Sequence, residues 1–191
     1  MLAYVFWHWR KLTATAADYE ARQRAFHAAL AAEPPRGFLG SFSVGLSGAP
    51  WAAEGGDAYG DWYFVEDFAV LGALNQAAVT GSRAAAHQAA AEVAGGGTAG
   101  VYGLRLGTAL RPPRYAQWLS KPAGMPYQEL FKELAPVVEK AGGALWMRQM
   151  TLGPAREFSL HSSSPAAVPA RFSPLSVHIR PVWPESAAKN G

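Results

Sequence analysis

His8 is the residue of this sequence best suited to acid–base chemistry, because of the strand in which it lies. Residues 3–11 are rich in Tyr, Val, Phe and Trp, which predicts a β-strand with His8 and Arg10 on one face. Asp61, in the third predicted strand, is expected across from His8. An imidazole with a carboxylate partner in an apolar setting can act as a general base near neutral pH. We predict His8 and Asp61 as a catalytic pair; the alternative is a structural histidine at a strand end.

Two further histidines, His161 and His178, fall in the last two predicted strands. Histidines on adjacent strands could bind a metal, and one of them could ligate haem. Neither H-x-H nor H-E-x-x-H occurs, so we predict no metal and no cofactor, with haem kept as an alternative. The absence of cysteine excludes disulfides and thiolate chemistry. His27 and His87 lie in predicted helices and are interpreted as surface or packing residues.

Aromatic and basic residues in the predicted strands are candidates for contacts with a ligand. Tryptophans on strands could line a pocket for a flat organic molecule, or they could be ordinary core residues. An arginine that points inward from a strand needs an anionic partner, whereas one that points outward needs none. The predicted ligand-binding residues are Trp7, Arg10, Trp62, Arg105, Trp118, Arg148 and His178.

Two common catalytic arrangements do not occur in the sequence. Neither Gly45-x-x-Gly48 nor the glycines at 95–97 match a phosphate-binding loop, since no Lys-Ser/Thr pair follows and no G-x-G-x-x-G opens a helix. Serine-hydrolase chemistry lacks its G-x-S-x-G elbow. We therefore exclude P-loop phosphate binding and Ser-His-Asp hydrolysis.

The pattern along the chain predicts strands and helices in the order β-α-β-β-α-β, followed by a second, shorter copy. Thr15 or Asp18 is predicted to cap the first helix, Asp67 and Ser82 are predicted to cap the next two helical segments, and Gly95-Gly96-Gly97 is predicted to end the second crossover. The predicted strands span 3–11, 38–46, 58–66, 101–106, 114–120, 144–152, 157–161 and 175–182. The clearest predicted helix spans 125–141, and the region 162–174 is too proline-rich for a full helix.

A repeated motif supports two related halves. Tyr4-x-x-Trp7-x-x-Arg10 returns as Tyr115-x-x-Trp118-x-x-Lys121, and each copy precedes a predicted helix. We predict a first ferredoxin-like half over 1–110, a second, degenerate half over 111–183 that lacks most of its last helix, and a disordered tail over 184–191. The fold class is therefore α+β, with two tandem halves that form an intramolecular α/β barrel.

This element order and motif resemble the dimeric α/β-barrel superfamily in its tandem, single-chain form. Members of that superfamily include antibiotic-synthesis monooxygenases, muconolactone isomerases and the haem-binding chlorite dismutase group. The resemblance covers nearly the whole chain but includes no catalytic signature, and it implies a barrel rather than a particular reaction. In such a barrel, an incompletely filled space between the two sheets would be a small-molecule pocket.

The composition of the chain limits the classes of binding partner that are expected. The 191 residues are 50% hydrophobic with a net charge of +3, and the basic residues are scattered, so a nucleic-acid partner is not expected. No apolar run approaches the ~18 residues of a membrane helix, and no signal peptide is recognisable, which predicts a cytoplasmic protein. The expected partner is a small molecule, and the expected state is a monomer or homodimer.

The predicted function is small-molecule binding, extending to a cofactor-independent oxygenase or isomerase with its pocket between the sheets. A non-catalytic binding or interaction protein with a filled barrel is the first alternative. A haem enzyme of the chlorite dismutase type is the second.

Overall fold

The computed structural model describes residues 1–52, 57–108 and 112–184. Within them the fold is mixed α+β: eight antiparallel strands close into a barrel, and four α-helices pack outside it. The strands are β1 (Leu2–Arg10), β2 (Phe38–Ser47), β3 (Ala58–Val65), β4 (Ala94–Gly107), β5 (Tyr115–Leu119), β6 (Ala144–Gln149), β7 (Phe158–Ser162) and β8 (Leu175–Trp183). Around the barrel their order is β1-β3-β2-β8-β5-β7-β6-β4, and β4 pairs back onto β1.

Helix boundaries follow from local capping. Helix α1 (Ala16–Ala32) begins after Thr15, whose hydroxyl accepts from the Asp18 amide, and α2 (Phe68–Ala78) begins after Asp67, whose carboxylate accepts from the Val70 amide. Both predicted caps are confirmed. The other helices are α3 (Arg83–Val93) and α4 (Tyr127–Lys140). None of the helices in the described part of the chain is long and apolar enough to cross a membrane.

Strand alternation divides the barrel wall into an inner and an outer face. The inner residues form one continuous hydrophobic core, in which four tryptophans are at most 1% exposed. They come from four different strands and are joined by Phe42, Phe64 and Tyr102. The four are Trp7, Trp62, Trp118 and Trp146.

The outer face carries two further apolar layers under the helices. Helix α1 buries Phe26 and Leu30 against Tyr63 and Val65 of β3. Helix α4 covers the opposite part of the barrel, where its residues Leu130, Leu134 and Val138 pack on Leu119, Leu145, Phe158 and Leu160.

Three sequence-based expectations need correction. Gly95-Gly96-Gly97 does not end the crossover but lies inside β4, which is 14 residues long. A Cβ at Gly97 would lie 2.4 Å from the Phe6 ring, so the glycines allow β1 side chains to lie across β4. Ser82 does not cap α3: its backbone is helical, and its hydroxyl donates to Glu33.

The third correction concerns strand length, since β6 ends at Gln149 instead of 152. Between β7 and β8 only a short 3-10 helix, Ala170–Phe172, replaces a full crossover helix, as the proline content predicted. The predicted tail, apart from residue 184, lies outside the described residues, as does Arg111 of the predicted linker.

Candidate functional site

The candidate site lies on the outer face of β1 and β3, beneath α1. Asp61 points outward from β3 because its neighbours Gly60 and Trp62 belong to the inner face. His8 points outward from β1 for the same reason, one position after the inward Trp7. Both side chains are almost fully buried, at 0% for His8 and 1% for Asp61.

Helix α1 supplies the other wall of the site through residues spaced by four. Tyr19, Gln23 and His27 therefore lie on one face of the helix and are all buried against the sheet. Tyr19 falls in the first turn, so the Thr15 cap also fixes its position.

Asp61 is the centre of a buried polar cluster. Its Oδ2 atom lies 3.2 Å from His8 Nε2 and 3.4 Å from His27 Nε2, and it accepts a hydrogen bond of 2.9 Å from the Tyr63 hydroxyl. The two imidazole approaches are at ion-pair distance but are not well-aligned hydrogen bonds. One carboxylate oxygen thus meets three polar groups.

The opposite ring nitrogens each meet a hydroxyl. His8 Nδ1 lies 2.5 Å from the Tyr19 hydroxyl, and His27 Nδ1 lies 2.7 Å from the Ser41 hydroxyl. Because a carboxylate can only accept, a neutral imidazole carries its proton on Nε2, facing Asp61. Each Nδ1 is then an acceptor for its hydroxyl, which gives a Tyr19–His8–Asp61 relay.

Stacked rings hold the two imidazoles in place. The His8 ring lies between Phe6, 4.9 Å away, and Tyr59, 5.7 Å away, and is within 21° of parallel to both. The His27 ring stacks on Tyr63 at 5.1 Å. The geometry of the relay is therefore set by packing as well as by polar contacts.

The electrostatics of the cluster keep Asp61 ionised and its tyrosines protonated. Burial by itself raises the pKa of the Asp61 carboxyl, but the electrostatic attraction and hydrogen bonding of the two adjacent imidazoles, His8 and His27, outweigh this and hold the pKa below its ordinary value. Burial, and then the Asp61 charge, raise the pKa of the Tyr19 and Tyr63 phenols. Asp61 is therefore an orienting carboxylate rather than the group that takes up a proton near neutral pH.

The second oxygen of Asp61 has no hydrogen-bond partner among the described residues. Asp61 also lines a cavity of about 520 Å³ between the outer sheet face and helices α1, α2 and α3. A buried carboxylate oxygen without a donor costs free energy, so this atom is suited to accept a hydrogen bond from a ligand in the cavity. Tyr19, Gln23 and Tyr63 line the same polar end.

The cavity exists because the helices over it contribute small or short side chains. Three residues of α3 face it at i, i+3 and i+4, and two of the three are alanines. Aromatic rings form the floor and one wall. These lining residues are Ala90 and Ala91 of α3, Ala94 at the start of β4, Tyr4 and Phe6 of β1, and Phe26 of α1.

The structure brings together the two residues predicted as the catalytic pair, His8 and Asp61. It places the predicted ligand-binding residues elsewhere. Trp7, Trp62 and Trp118 lie in the barrel interior, on the opposite face of the wall from the cavity. The space predicted between the two sheets is thus filled by aromatic side chains, and the cavity lies outside the barrel.

The predicted basic residues do not line the cavity either. Arg10 forms a 2.7 Å ion pair with Asp57, and Arg148 donates to the backbone carbonyls of Gly153 and Ala155. Arg105 and His178 are exposed. Arg10 and Arg148 therefore have their partners within the protein, as expected for arginines with a structural role.

His161 lies in the barrel interior with its ring 4.3 Å from that of Trp62. Burial lowers its pKa to about 3, so the imidazole is neutral. A haem at His161 would have to displace the surrounding rings, so the residues present do not fit that group. No set of three or more His, Asp or Glu residues in the described ranges is arranged to hold a metal ion.

Sequence reasoning missed His27, Tyr19, Tyr63 and Ser41. The available signal was the polar series Tyr19, Gln23 and His27 at intervals of four within the face of α1 that must pack on the sheet. Three polar residues on a buried helical face predict a polar partner beneath the helix.

Comparisons with known proteins show similarity of fold. No protein-family model matches the chain, and no curated protein matches it in sequence. A solved structure from Fusobacterium nucleatum subsp. nucleatum, provisionally named a monooxygenase, superposes with a TM-score of 0.64 at 9% identity, covering 95% of this chain and 92% of that chain.

Two other solved structures are more weakly similar. A provisionally named monooxygenase from Lactobacillus acidophilus has a TM-score of 0.47 at 11% identity, covering 85% of this chain and 77% of its own. An anthrone oxidase-like protein has a TM-score of 0.45 at 11% identity, covering 98% of this chain and 95% of its own. The Fusobacterium match extends over nearly the whole of both chains, so the two proteins share a fold.

Proposed function

We propose that this protein is a small-molecule enzyme of oxygenase type, which removes a proton from an organic substrate held in the outer cavity. The observation that carries the proposal is the unpartnered, buried Oδ1 of Asp61 at the polar end of an otherwise apolar cavity. An apolar pocket with a few convergent polar groups is the usual form of a small-molecule site.

The relay assigns a role to each residue. Tyr19 lines the cavity and is the group in contact with substrate. His8 accepts a proton through Tyr19 on Nδ1, while Asp61 orients the ring through Nε2 and stabilises the imidazolium that forms. The free Oδ1 of Asp61 accepts a hydrogen bond from the substrate and positions it.

Because the proton is taken by side chains, the proposed reaction needs no cofactor. Loss of a proton from an activated CH₂ gives a carbanion, which transfers electrons to O₂ and forms a carbon–oxygen bond. The resulting peroxide anion takes back the proton from the His8 imidazolium and becomes a hydroperoxide. Loss of water then gives a ketone, so that CH₂ and O₂ become C=O and H₂O. Carbon is oxidised by four electrons, and O₂ is reduced by the same four.

The name of the Fusobacterium protein agrees with this proposal, although the similarity itself extends only to fold. The site itself supports proton removal, which is the first step of such an oxygenation. An isomerase would share the first proton transfer but return the proton to another atom. A non-catalytic binding protein would use the cavity without either step.

We also infer that the barrel arose from two tandem ferredoxin-like units. The first four strands stand in the order β4-β1-β3-β2, and the last four repeat it as β8-β5-β7-β6. Trp7 and Trp118 of the repeated motif both point into the interior. We likewise propose that the two halves of the chain divide between residues 110 and 111. The proposed oligomeric state is a monomer or a homodimer.

Anthrone is a suitable probe of the proton relay because its CH₂ group is acidified by a carbonyl and two rings; it carries no donor for Oδ1 of Asp61, so it tests proton removal and not the positioning role of that oxygen. We expect the wild-type protein to accelerate O₂ uptake and to form anthraquinone and water in equal amounts. His8→Ala and Tyr19→Phe should each lower the rate by about 10²-fold or more, the usual contribution of acid–base catalysis. Oxygen-electrode rates, corrected for autoxidation, measure this.

Gln88→Leu, at an exposed position on α3, is the matched control and should retain the wild-type rate. Circular dichroism must show that the other variants are folded. Unchanged rates in both folded variants would reject the relay. Exchange of the CH₂ protons in D₂O without O₂ uptake would indicate proton transfer alone, and binding without exchange would indicate a non-catalytic protein.

A further inference from the structure

The cavity is also lined by one polar residue from each of the helices α2 and α3 that cover it. Helix α2 faces the cavity with residues at i, i+3, i+4 and i+7, and only Asn75 among them is polar. Helix α3 faces the cavity at i, i+3 and i+4 with His87, Ala90 and Ala91, of which only His87 is polar. Each helix therefore interrupts an apolar stripe once, at a position that faces the same space.

Neither side chain has a hydrogen-bonding role in the fold. Within the described ranges, His87 contacts the Phe26 ring edge-on at 5.3 Å, and neither His87 nor Asn75 makes a hydrogen bond. A polar side chain that lines an apolar cavity without a partner is available to a ligand.

Exposure distinguishes these two residues from the relay. Asn75 is exposed and His87 is half-buried, whereas Asp61 is 1% exposed. The relay therefore lies at the base of the cavity, and Asn75 and His87 lie nearer to its mouth. A ligand that extends from Asp61 toward the mouth therefore approaches Asn75 and His87.

The charge of the lining restricts the ligand further. Among the described residues that line the cavity there is no Lys or Arg, and Asp61 is ionised. An anionic group would meet a carboxylate without a fixed cationic partner, which opposes its binding in a low-dielectric site.

We propose that Asn75 and His87 form a recognition pair that selects uncharged ligands with hydrogen-bonding groups at both ends. One end of the ligand donates to Asp61, and the other meets the pair. This inference rests on the proposed function only in using the same cavity, since it concerns binding and not turnover. His87 and Asn75 are specificity-determining residues and take no part in the proton relay.

Two matched probes test the pair without turnover: 2-naphthol, with one hydroxyl, and 2,6-dihydroxynaphthalene, with hydroxyls at opposite ends. Calorimetry under nitrogen gives their dissociation constants. The wild-type protein should bind the diol about fivefold more tightly, the value of one added net hydrogen bond. In His87→Leu with Asn75→Leu this preference should disappear while the affinity for 2-naphthol is kept.

Gln88→Leu is the control, because it changes an exposed polar residue of α3 outside the cavity and should leave the preference intact. An equal affinity of the wild type for both probes, or a preference that persists in the double variant, would overturn the pair. Failure of both probes to bind would overturn it as well. Each of these results is independent of the anthrone rates, which test the relay.

Discussion

Asp61 shows how a buried charge can be retained in an apolar layer. Its Oδ2 is surrounded by His8, His27 and Tyr63, whose polar atoms offset part of the cost of removing a carboxylate from water. The Oδ1 atom is left without a donor. A cluster that existed only for stability would be expected to satisfy both oxygens, so the asymmetry favours a site for a ligand.

His161 makes the protein's stability depend on pH. Its pKa is about 3 in the folded state, lowered by burial, against about 6.5 in an unfolded chain. Between these values the unfolded state binds the extra proton, so stability is fully present above pH 6.5 and is lost as the pH falls. The loss is about 1.4 kcal/mol per pH unit.

We therefore expect the free energy of unfolding to fall by about 2 kcal/mol more between pH 7 and pH 5 in the wild type than in His161→Phe. Urea unfolding of both proteins at the two pH values measures this difference. Contributions from the other histidines are common to both proteins and cancel. Parallel losses in the two proteins would show that His161 is protonated in the folded state.

At the scale of elements, the outer surface of the barrel beneath α1 and α3 differs from the outer surface beneath α4. Trp118 of β5 occupies the place of Trp7 of β1, and the strand pairings then match Leu119 to His8 and Leu160 to Asp61. Both leucines belong to the apolar core under α4. The polar site is thus specific to the α1–α3 side.

Substitutions of glycine test whether the β4 glycines are needed for close packing against β1. Gly97→Ala should destabilise the protein by about 1–3 kcal/mol, because the new Cβ would lie 2.4 Å from the Phe6 ring and 2.7 Å from the Trp7 carbonyl oxygen. Gly72→Ala on α2 meets nothing within 4 Å and should stabilise the helix by about 0.5–1 kcal/mol. Thermal melts compare the two.

Opposite signs for the two substitutions would support close packing of β1 side chains over β4. A neutral Gly97→Ala would show that Phe6, which lines the cavity, has freedom to move aside.

At the scale of the whole molecule, the interior joins both halves of the chain. The Trp62 and Trp146 rings are 5.7 Å apart, and β2–β8 and β4–β6 pairings close the barrel across the two halves. Neither half can cover its inner face without the other.

We therefore expect a single cooperative unfolding transition. Tryptophan fluorescence and far-ultraviolet circular dichroism should give the same urea midpoint, because both report loss of one shared core. Two separated transitions would contradict this and would indicate halves that are stable independently.

The sequence by itself determined the order of the elements, the caps at Thr15 and Asp67, and the faces of β1 and β3, because these depend on residues close together in the chain. Alternation was enough to place His8 and Asp61 on one side of a sheet. Alternation could not decide whether side chains would fill the space inside the barrel or the space outside it. Closing the barrel brought four tryptophans from distant strands into one core, and this left the cavity outside.

The partners of Asp61 were likewise a tertiary outcome. His27 and Tyr19 reach it only because α1 packs across β1 and β3, and the depth and angle of that packing depend on side-chain volumes that periodicity does not specify.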